Sequence, residues 1–357
     1  MTFKNENDIL AILKTITDPV SGKNIVDAGL VNALSFTDNS VRLALEIEAA
    51  NADKMEPVRL LAEARLKARE GIENVMVSMV AHNEKSEPPK MNAKQSQPRS
   101  SAQNIPGVKH VVAIASGKGG VGKSTLSINI AAALASKGIK TGLLDADVYG
   151  PSQPLMMNIH ARPSSPDGKT IIPLRNHGIT MMSIGLMMEA GKAVIWRGPM
   201  LMGALQQMMF QVEWGELDIL IVDLPPGTGD VQLTLAQKAH VSGAVIVSTP
   251  QDIALIDARK AIDMFGQLDV PILGLVENMS THVCSNCGHE EHIFGHGGVA
   301  TEAQNMDVDL LSEIPLDIAI RLAGDSGTPA VLSDPSSQYA TAFQTIADKI
   351  THQLSIS

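Results

Sequence analysis

The segment from residue 110 to residue 138 limits the possible folds more than any other part of the chain. Its centre, Gly117-Lys118-Gly119-Gly120-Val121-Gly122-Lys123-Ser124, follows the pattern G-x-x-x-x-G-K-[ST]. A run typical of a buried strand, His110–Ser116, precedes it. A helical pattern, Thr125–Lys137, follows it and ends at Gly138. A strand, a glycine-rich loop and a helix in this order predict a phosphate-binding loop.

Short apolar runs alternate with amphipathic helical segments in the rest of residues 106–357. Continuous apolar strands between helices are typical of a parallel sheet that is covered on both faces. We therefore predict an α/β fold, a P-loop NTPase with a mostly parallel sheet between two helical layers. The further predicted strands are Thr141–Leu144, Ile219–Val222, Ala244–Ser248 and Ile272–Val276.

The predicted loop has the chemistry needed to hold a nucleotide. Glycines let successive N–H groups point at phosphate oxygens, and the helix N-terminus adds a favourable dipole. Lys123 is expected to contact the β- and γ-phosphates, and Ser124 to ligate Mg²⁺. Lys118 either reaches a neighbouring subunit's nucleotide or is a solvated loop lysine. The predicted nucleotide-binding residues of the loop are Gly117, Lys118, Gly119, Gly120, Val121, Gly122, Lys123, Ser124 and Thr125.

Acidic residues follow two of the predicted strands. Asp145 and Asp147 come just beyond one strand end, where ligands bind in open α/β sheets. Asp223 ends the apolar run Ile219–Val222, as in a Walker B strand, and would hold magnesium through water. The turn-rich loop Leu224–Asp230 could sense the γ-phosphate. Together with the P-loop, these positions predict a nucleotide switch.

The identity of the base is less constrained by the sequence. The N-K-x-D pattern expected of a GTPase after a later strand is not found in the chain. Asn278 follows the strand Ile272–Val276 and could hydrogen-bond the edge of a purine. It could equally be an asparagine of an ordinary turn.

The only two cysteines, Cys284 and Cys287, form a C-x-x-C pair. This spacing brings two thiolates to one metal. A four-thiolate site would need two chains, which predicts a symmetric dimer with an iron–sulfur cluster on its axis. Zinc held within one chain with two of the nearby histidines, a redox disulfide and a plain turn are the alternatives. Those histidines are His289, His292 and His296.

A change of composition divides the chain. Residues 84–105 are polar, contain proline and are nearly free of large apolar residues, which predicts a flexible linker. Before it, residues 1–83 predict a small α+β domain, with a helix over Asn7–Ile16 and strands over Val31–Phe36 and Val41–Ile47. This domain continues with a helix over Pro57–Glu70 and a strand over Val75–Val80.

Charge and composition exclude several classes of protein. The net charge of −10 argues against a broad basic face for nucleic acid or anionic lipid. Two cysteines in 357 residues argue against a disulfide-rich secreted scaffold. The N-terminus lacks an apolar signal core, and no apolar run reaches the ~18–20 residues of a membrane helix. We therefore expect a cytoplasmic protein that binds neither nucleic acid nor membrane.

Taken together, the motifs resemble a known family. The loop Lys118–Thr125 is similar to the deviant Walker A motif of the ParA/MinD class of dimerising ATPases. The whole set resembles the Mrp-type (ApbC-like) iron–sulfur cluster carrier proteins, and residues 1–83 resemble the MIP18-like domain that often precedes this ATPase. The further motifs of the resemblance are Asp145–Ser152, Trp196–Pro199, Asp223–Asp230 and Cys284–Gly295.

The resemblance implies a role for each matching position. Lys118 would contact nucleotide in the partner subunit, and Asp147 would orient the attacking water. Asp145 and Asp223 would support the magnesium site, and Asn278 would contact adenine. Cys284 and Cys287 would hold a bridging [4Fe–4S] cluster.

The function implied is that of an ATP-hydrolysing carrier. It would receive a cluster from donor proteins, hold it at a homodimer interface and pass it to apo-proteins. ATP would act as a switch of subunit geometry. Two alternatives remain at this point: a ParA/MinD-like positioning ATPase and a zinc-bound, nucleotide-dependent scaffold.

Overall fold

A computed structural model gives the structure of the chain, which divides into two compact units, residues 1–97 and 98–357. The structure describes residues 6–37, 40–48, 51–69, 74–82, 102–187 and 198–356. The tryptophan–arginine pair at 196–197, most of the predicted linker and the predicted turn at 38–39 lie outside these ranges.

The smaller unit has a three-stranded sheet with the order β1-β2-β3. β1 and β2 are antiparallel, whereas β2 and β3 are parallel. Its core packs side chains of both helices against the sheet, among them Leu13, Leu45 and Leu66. The elements are α1 Glu6–Leu13, β1 Val31–Thr37, β2 Ser40–Glu48, α2 Ala52–Lys67 and β3 Asn74–His82.

The α+β prediction for this unit is confirmed, but α2 begins five residues before the expected Pro57. Proline favours the first turn of a helix, which is why the sequence placed the start there. Met55 and Val58 are buried in the core of the unit. Their packing holds the extra first turn and outweighs the backbone hydrogen bond that Pro57 cannot donate.

The larger unit is built on an eight-stranded sheet with the order β13-β10-β9-β4-β8-β5-β7-β6. All neighbours are parallel except β6, which runs antiparallel to β7 at one edge. A separate two-stranded hairpin pairs β11 with β12. The strands are β4 Val108–Ala115, β5 Thr141–Asp145, β6 Leu174–Asn176, β7 Ile179–Ser183, β8 Leu217–Asp223, β9 Gly243–Ser248, β10 Ile272–Asn278, β11 His282–Val283, β12 Glu290–Glu291 and β13 Leu310–Ile314.

Helices cover both faces of this sheet, as the continuous apolar strands predict. Alternate residues of β4 enter different cores: Val111 and Ala113 pack with Trp214 and Phe265, whereas Val112 packs with the helices of the opposite layer. The helices are α3 Lys123–Ser136, α4 Gln153–Met156, α5 Gly198–Phe210, α6 Asp230–Lys238, α7 Asp252–Gln267, α8 Gly298–Asn305, α9 Ile318–Ser326, α10 Ala330–Ser333 and α11 Gln338–Gln353.

The predicted linker ends earlier than residue 105. Gln103 donates its backbone N–H to Lys238 O at 2.9 Å and accepts from the N–H of His240 at 3.0 Å. Ile105 is 2% exposed within the core of the larger unit. These residues therefore belong to the folded unit, because backbone pairing and one buried side chain fix a segment whose composition is otherwise that of a linker.

Candidate nucleotide and metal site

The P-loop joins β4 to α3 and encloses a cavity of about 210 Å³. Gly120 and Gly122 have φ values of 83° and 86°, which side chains disfavour. A Cβ on Gly122 would also lie 2.1 Å from Nδ2 of Asn278. The first turn of the 14-residue helix α3 adds its unpaired N–H groups and its dipole. The lining residues are Ser116, Lys118, Gly119, Gly120, Val121, Gly122, Lys123, Ser124, Thr125, Asp147 and Pro226.

Two of the predicted loop residues lie at the margins of this cavity. Gly117 is not among the lining residues; a Cβ there would lie 2.0 Å from the carbonyl oxygen of Asp257, so this glycine permits close packing against α7. Lys118 lines the cavity and is exposed. An exposed lysine at the rim is available to a group outside its own subunit.

Lys123 reaches the acidic residues at the floor of the site. Its side chain is 6% exposed, and Nζ lies 2.7 Å from Oδ1 of Asp223 and 3.5 Å from Oδ2 of Asp147. The Lys123 ammonium is therefore shared between two carboxylates. To contact phosphate, Lys123 would exchange these carboxylates for phosphate oxygens.

Asp223 and Asp145 lie side by side at the ends of β8 and β5, where the two residues are register partners. Asp223 accepts hydrogen bonds from Ser127 Oγ at 3.1 Å and from Gln153 Nε2 at 2.8 Å. Asp145 accepts from Ser183 Oγ at 2.9 Å. Burial, followed by the nearby charge of Asp223, raises the pKa of Asp145 to about 8. Burial beside Asp223 therefore favours the protonated form of Asp145 in this arrangement.

Asp147 is the carboxylate of this set that faces the cavity. It is 9% exposed, and its Oδ1 accepts from the N–H groups of Tyr149 at 3.2 Å and Gly150 at 3.3 Å. These bonds fix the carboxylate close to the Lys123 ammonium. The structure thus brings Asp145, Asp147 and Asp223 together beside the P-loop.

The residues at this floor fit magnesium. A hydroxyl and carboxylates are the hard oxygen ligands that Mg²⁺ prefers, and Ser124, Asp147 and Asp223 supply them. Gln153 adds a buried side-chain oxygen, Oε1, that has no hydrogen-bond partner among the described residues. An oxygen of this kind is expected where a hydrated cation binds. No sequence pattern marked Gln153, which stands one residue after the motif Asp145–Ser152.

A second, more apolar cavity of about 270 Å³ adjoins the first, since Gly122 and Thr125 line both. Asn278 stands at its edge and donates from Nδ2 to the Val121 carbonyl at 2.8 Å. Asn278, the residue predicted to contact a purine, thus also stabilises the P-loop through this hydrogen bond. The other lining residues are Leu126, Met279, Ile314, Pro315, Leu316, Asp317, Ile320, Arg321 and Phe343.

The cysteine pair lies between the two short strands of the β11–β12 hairpin. Cys284 is half-buried and Cys287 is exposed. Hydrogen bonds from the backbone N–H of Asn286, from that of Cys287 and from the Cys287 thiol lower the pKa of Cys284. The hairpin is closed by the Cys284 N–H to His289 O bond at 2.9 Å. The hairpin therefore favours the thiolate, the form that binds metal.

The nearby histidines do not complete a zinc site with these cysteines. His292 Nδ1 lies 3.2 Å from the carbonyl of Ser280, and the ring of His292 stacks on that of His296 at 4.4 Å. Among the described residues, no histidine or carboxylate joins both cysteines in a group whose ligand atoms all lie within 4.8 Å of one another. A Cys₂His₂ site in one chain, one of the alternatives left open by the spacing, is therefore not assembled.

Glu277 anchors the far end of the cysteine segment, a role that no sequence signal marked. It is fully buried and accepts from the N–H groups of Gly297 at 3.2 Å and Val299 at 2.9 Å, at the start of α8. His296 Nδ1 lies 4.0 Å from its Oε1. The residue after Glu277 is Asn278, so one strand end holds both the P-loop and the cysteine segment.

Comparison with known proteins agrees with this geometry. The fold and the loop define a P-loop nucleoside triphosphatase. A family model of ParA type, described as NUBPL iron-transfer P-loop NTPase, matches residues 107–351, and one described as iron–sulfur cluster assembly protein matches residues 6–79. The chain belongs to the NUBPL iron-transfer P-loop NTPase family. The resemblance and the fold class predicted from the motifs are thereby confirmed.

Individual relatives are similar to the chain over most of its length or over its larger unit. The iron–sulfur cluster carrier protein of Escherichia coli K12 is 52% identical over 251 residues, 70% of this chain and 68% of the relative. The protein of that name from Haemophilus influenzae is 40% identical over 356 residues, 99% of this chain and 93% of the relative. A solved nucleotide-binding protein of Archaeoglobus fulgidus, in complex with ADP, is 35% identical, with a TM-score of 0.58 over 67% of this chain and 94% of its own.

A search of the described helices for membrane spans gave none: not one is both long and apolar enough to cross a bilayer.

Proposed function

We propose that the protein is an ATP-hydrolysing carrier that binds a [4Fe–4S] cluster between two copies of the chain and transfers it to apo-proteins. The observation that carries the proposal is the cysteine hairpin. It presents two thiols, one of them activated, while His292 and His296 contact other partners. A cubane needs four thiolates, so a second chain would supply the other pair.

The two adjoining cavities suit a nucleoside triphosphate, with one cavity for the phosphates and one for the base. The phosphates would occupy the P-loop cavity and the base the apolar one, with Gly122 and Thr125 between them. One N–H of the Asn278 amide is committed to Val121. Oδ1 and the second N–H are the groups left to meet the base, so the amide could accept from the exocyclic amine of adenine and donate to a ring nitrogen.

Hydrolysis would use residues already gathered at the floor. Mg²⁺, when bound, supplies charge for the phosphate oxygens. Asp147 would orient a water for in-line attack on the γ-phosphorus, and Lys123 would hold the β- and γ-oxygens. The exposed Lys118 would reach the nucleotide of the partner subunit. The products are ADP, phosphate and a proton, and the change in subunit contacts would alter the hold on the cluster.

The cluster is cargo, and it implies two kinds of partner: proteins that donate clusters and apo-proteins that accept them. Thiolate exchange at the exposed Cys287 suits transfer, because an exposed ligand is the one an incoming thiolate can replace. We place this activity in the cytoplasm, in keeping with free cysteines and the acidic net charge.

The test is anaerobic reconstitution with iron and sulfide, followed by mass measurement and by cluster transfer to an apo-protein with and without ATP. We expect a dimer with one cluster, which Cys287→Ser loses while it keeps ATP binding. Lys123→Arg is the nucleotide-site variant, since it keeps the charge beside buried Asp223 but not the lysine geometry. It should keep the cluster and lose ATP-dependent transfer. A monomer that retains a full cluster would refute the proposal.

A further inference from the structure

Gln153 is tied to three parts of the nucleotide site, two of them through its side chain. It is 0% exposed at the first position of α4. Its Nε2 donates to the carbonyl of Ser124 at 3.0 Å and to Oδ2 of Asp223 at 2.8 Å. Its backbone N–H donates to Oδ2 of Asp145 at 3.2 Å. The amide therefore lies among the residues that fit magnesium.

The orientation of this amide is fixed by its neighbours. Nε2 faces two acceptors, and a flipped amide would set its oxygen against both of them. Oε1 is consequently held in place without a partner among the described residues. A buried amide oxygen left unpaired is costly, so a fold that retains one has a use for it. Oε1 shares a carbon with Nε2, which places it beside Ser124 and Asp223.

We propose that Gln153 is a positioning residue that accepts a hydrogen bond from a water of the Mg²⁺ hydration shell. The inference rests on the proposed function, since it assumes that Mg²⁺ and ATP bind at this floor. Magnesium gives up water reluctantly and usually keeps several waters in protein sites, and each of these needs an acceptor. Gln153 would fix one such water and, through Nε2, hold Asp223 in place for another.

This role predicts a specific defect. Partners outside the metal's own ligands typically change metal affinity about 10- to 100-fold. Loss of Oε1 should therefore weaken the effect of magnesium on ATP binding and leave the metal-free affinity for ATP nearly unchanged. A role limited to packing α4 would alter both affinities alike.

The experiment measures the dissociation constant of a fluorescent ATP analogue in EDTA and in saturating Mg²⁺, with the full-length protein. The readout is the ratio of the two constants. We expect Gln153→Leu to reduce this ratio about tenfold. Gln153→Met, unbranched and of similar length, gives the same readout if the leucine variant does not fold. A ratio within threefold of wild type in the folded variant overturns the inference.

Ser127→Ala is the matched control, because it also removes a hydrogen bond to Asp223 but leaves Oε1 of Gln153 in place. Its ratio should stay within threefold of wild type. An equal loss in Ser127→Ala would overturn the inference, because loosening Asp223 would then explain both variants. If the wild-type ratio is itself one, the magnesium–ATP part of the proposed function fails. If wild type shows the magnesium effect and the Gln153 variants keep it, only the inference fails.

Discussion

Asp145→Asn should change the pH dependence of stability in the nucleotide-free protein. Asp145 is fully buried beside Asp223, and its pKa is raised from 3.8 to about 8. The folded chain therefore keeps a proton on Asp145 that the unfolded chain loses above about pH 4. The stability contributed by this group is complete below the unfolded pKa and is lost as the pH rises through the folded pKa.

The size of the effect follows from the difference in pKa. Each unit corresponds to about 1.4 kcal/mol, so wild type should lose on the order of 4 kcal/mol relative to the variant between about pH 5 and pH 8. Asparagine offers one acceptor oxygen where Asp145 receives bonds from Ser183 Oγ and two backbone N–H groups. The lost hydrogen bond lowers the free energy of unfolding by an amount that does not depend on pH. The informative quantity is therefore the change of the free-energy difference with pH.

Urea unfolding in EDTA, followed by tryptophan fluorescence, measures this slope. Both tryptophans, Trp196 and Trp214, belong to the larger unit, so the signal reports the unit that contains Asp145. The free energy of unfolding of wild type minus that of the variant should fall steadily from about pH 5 to pH 8 and then level off. A difference that changes by less than about 1 kcal/mol would show that Asp145 is ionised in the folded protein and would refute the argument.

Three further substitutions test other parts of the structure. Gly122→Ala, at a φ of 86° and against Asn278, should weaken ATP binding at least about tenfold by calorimetry with little change in the fluorescence spectrum. Phe343→Ala, at 1% exposure, should lower the free energy of unfolding by about 3–5 kcal/mol in urea. Arg259→Gln should lower the melting temperature near pH 7, and by less as the pH falls through the lowered pKa of Glu302, its partner; thermal melts at neutral and at acidic pH would check this.

The elements with a clear local pattern of glycines or apolar residues were predicted from the sequence. The P-loop was placed residue by residue because its geometry depends on glycines at fixed spacing. The strand predicted at Ile219–Val222 runs from Leu217 to Asp223, so the error is limited to its ends. The edge strands β6 and β13, and β7 beside β6, were not predicted. Such strands owe their form to pairing with a neighbour rather than to a hydrophobic pattern of their own.

The missed site residues have the same explanation. Gln153 and Glu277 are polar residues next to predicted elements, and their types do not distinguish them from surface residues. Their importance comes from burial and from partners distant in sequence, such as Asp223, 70 positions from Gln153. The histidines near the cysteines are the opposite case, because their spacing suggested a zinc site that the fold does not form. In the structure, His292 contacts the carbonyl of Ser280. Long-range neighbours of this kind depend on the topology of the chain.

The two residues at the end of β10 make the protein sensitive to the exact length of that strand. Glu277 and Asn278 are consecutive, so their side chains leave opposite faces of the sheet, one toward α8 and the other toward the P-loop. Deleting or inserting a single amino acid upstream in the strand would exchange the two directions, putting a carboxylate beside the P-loop and an amide beside the start of α8. Both sets of contacts would be lost together, although neither residue had been substituted. Here the count of residues, as much as their identity, preserves the chemistry.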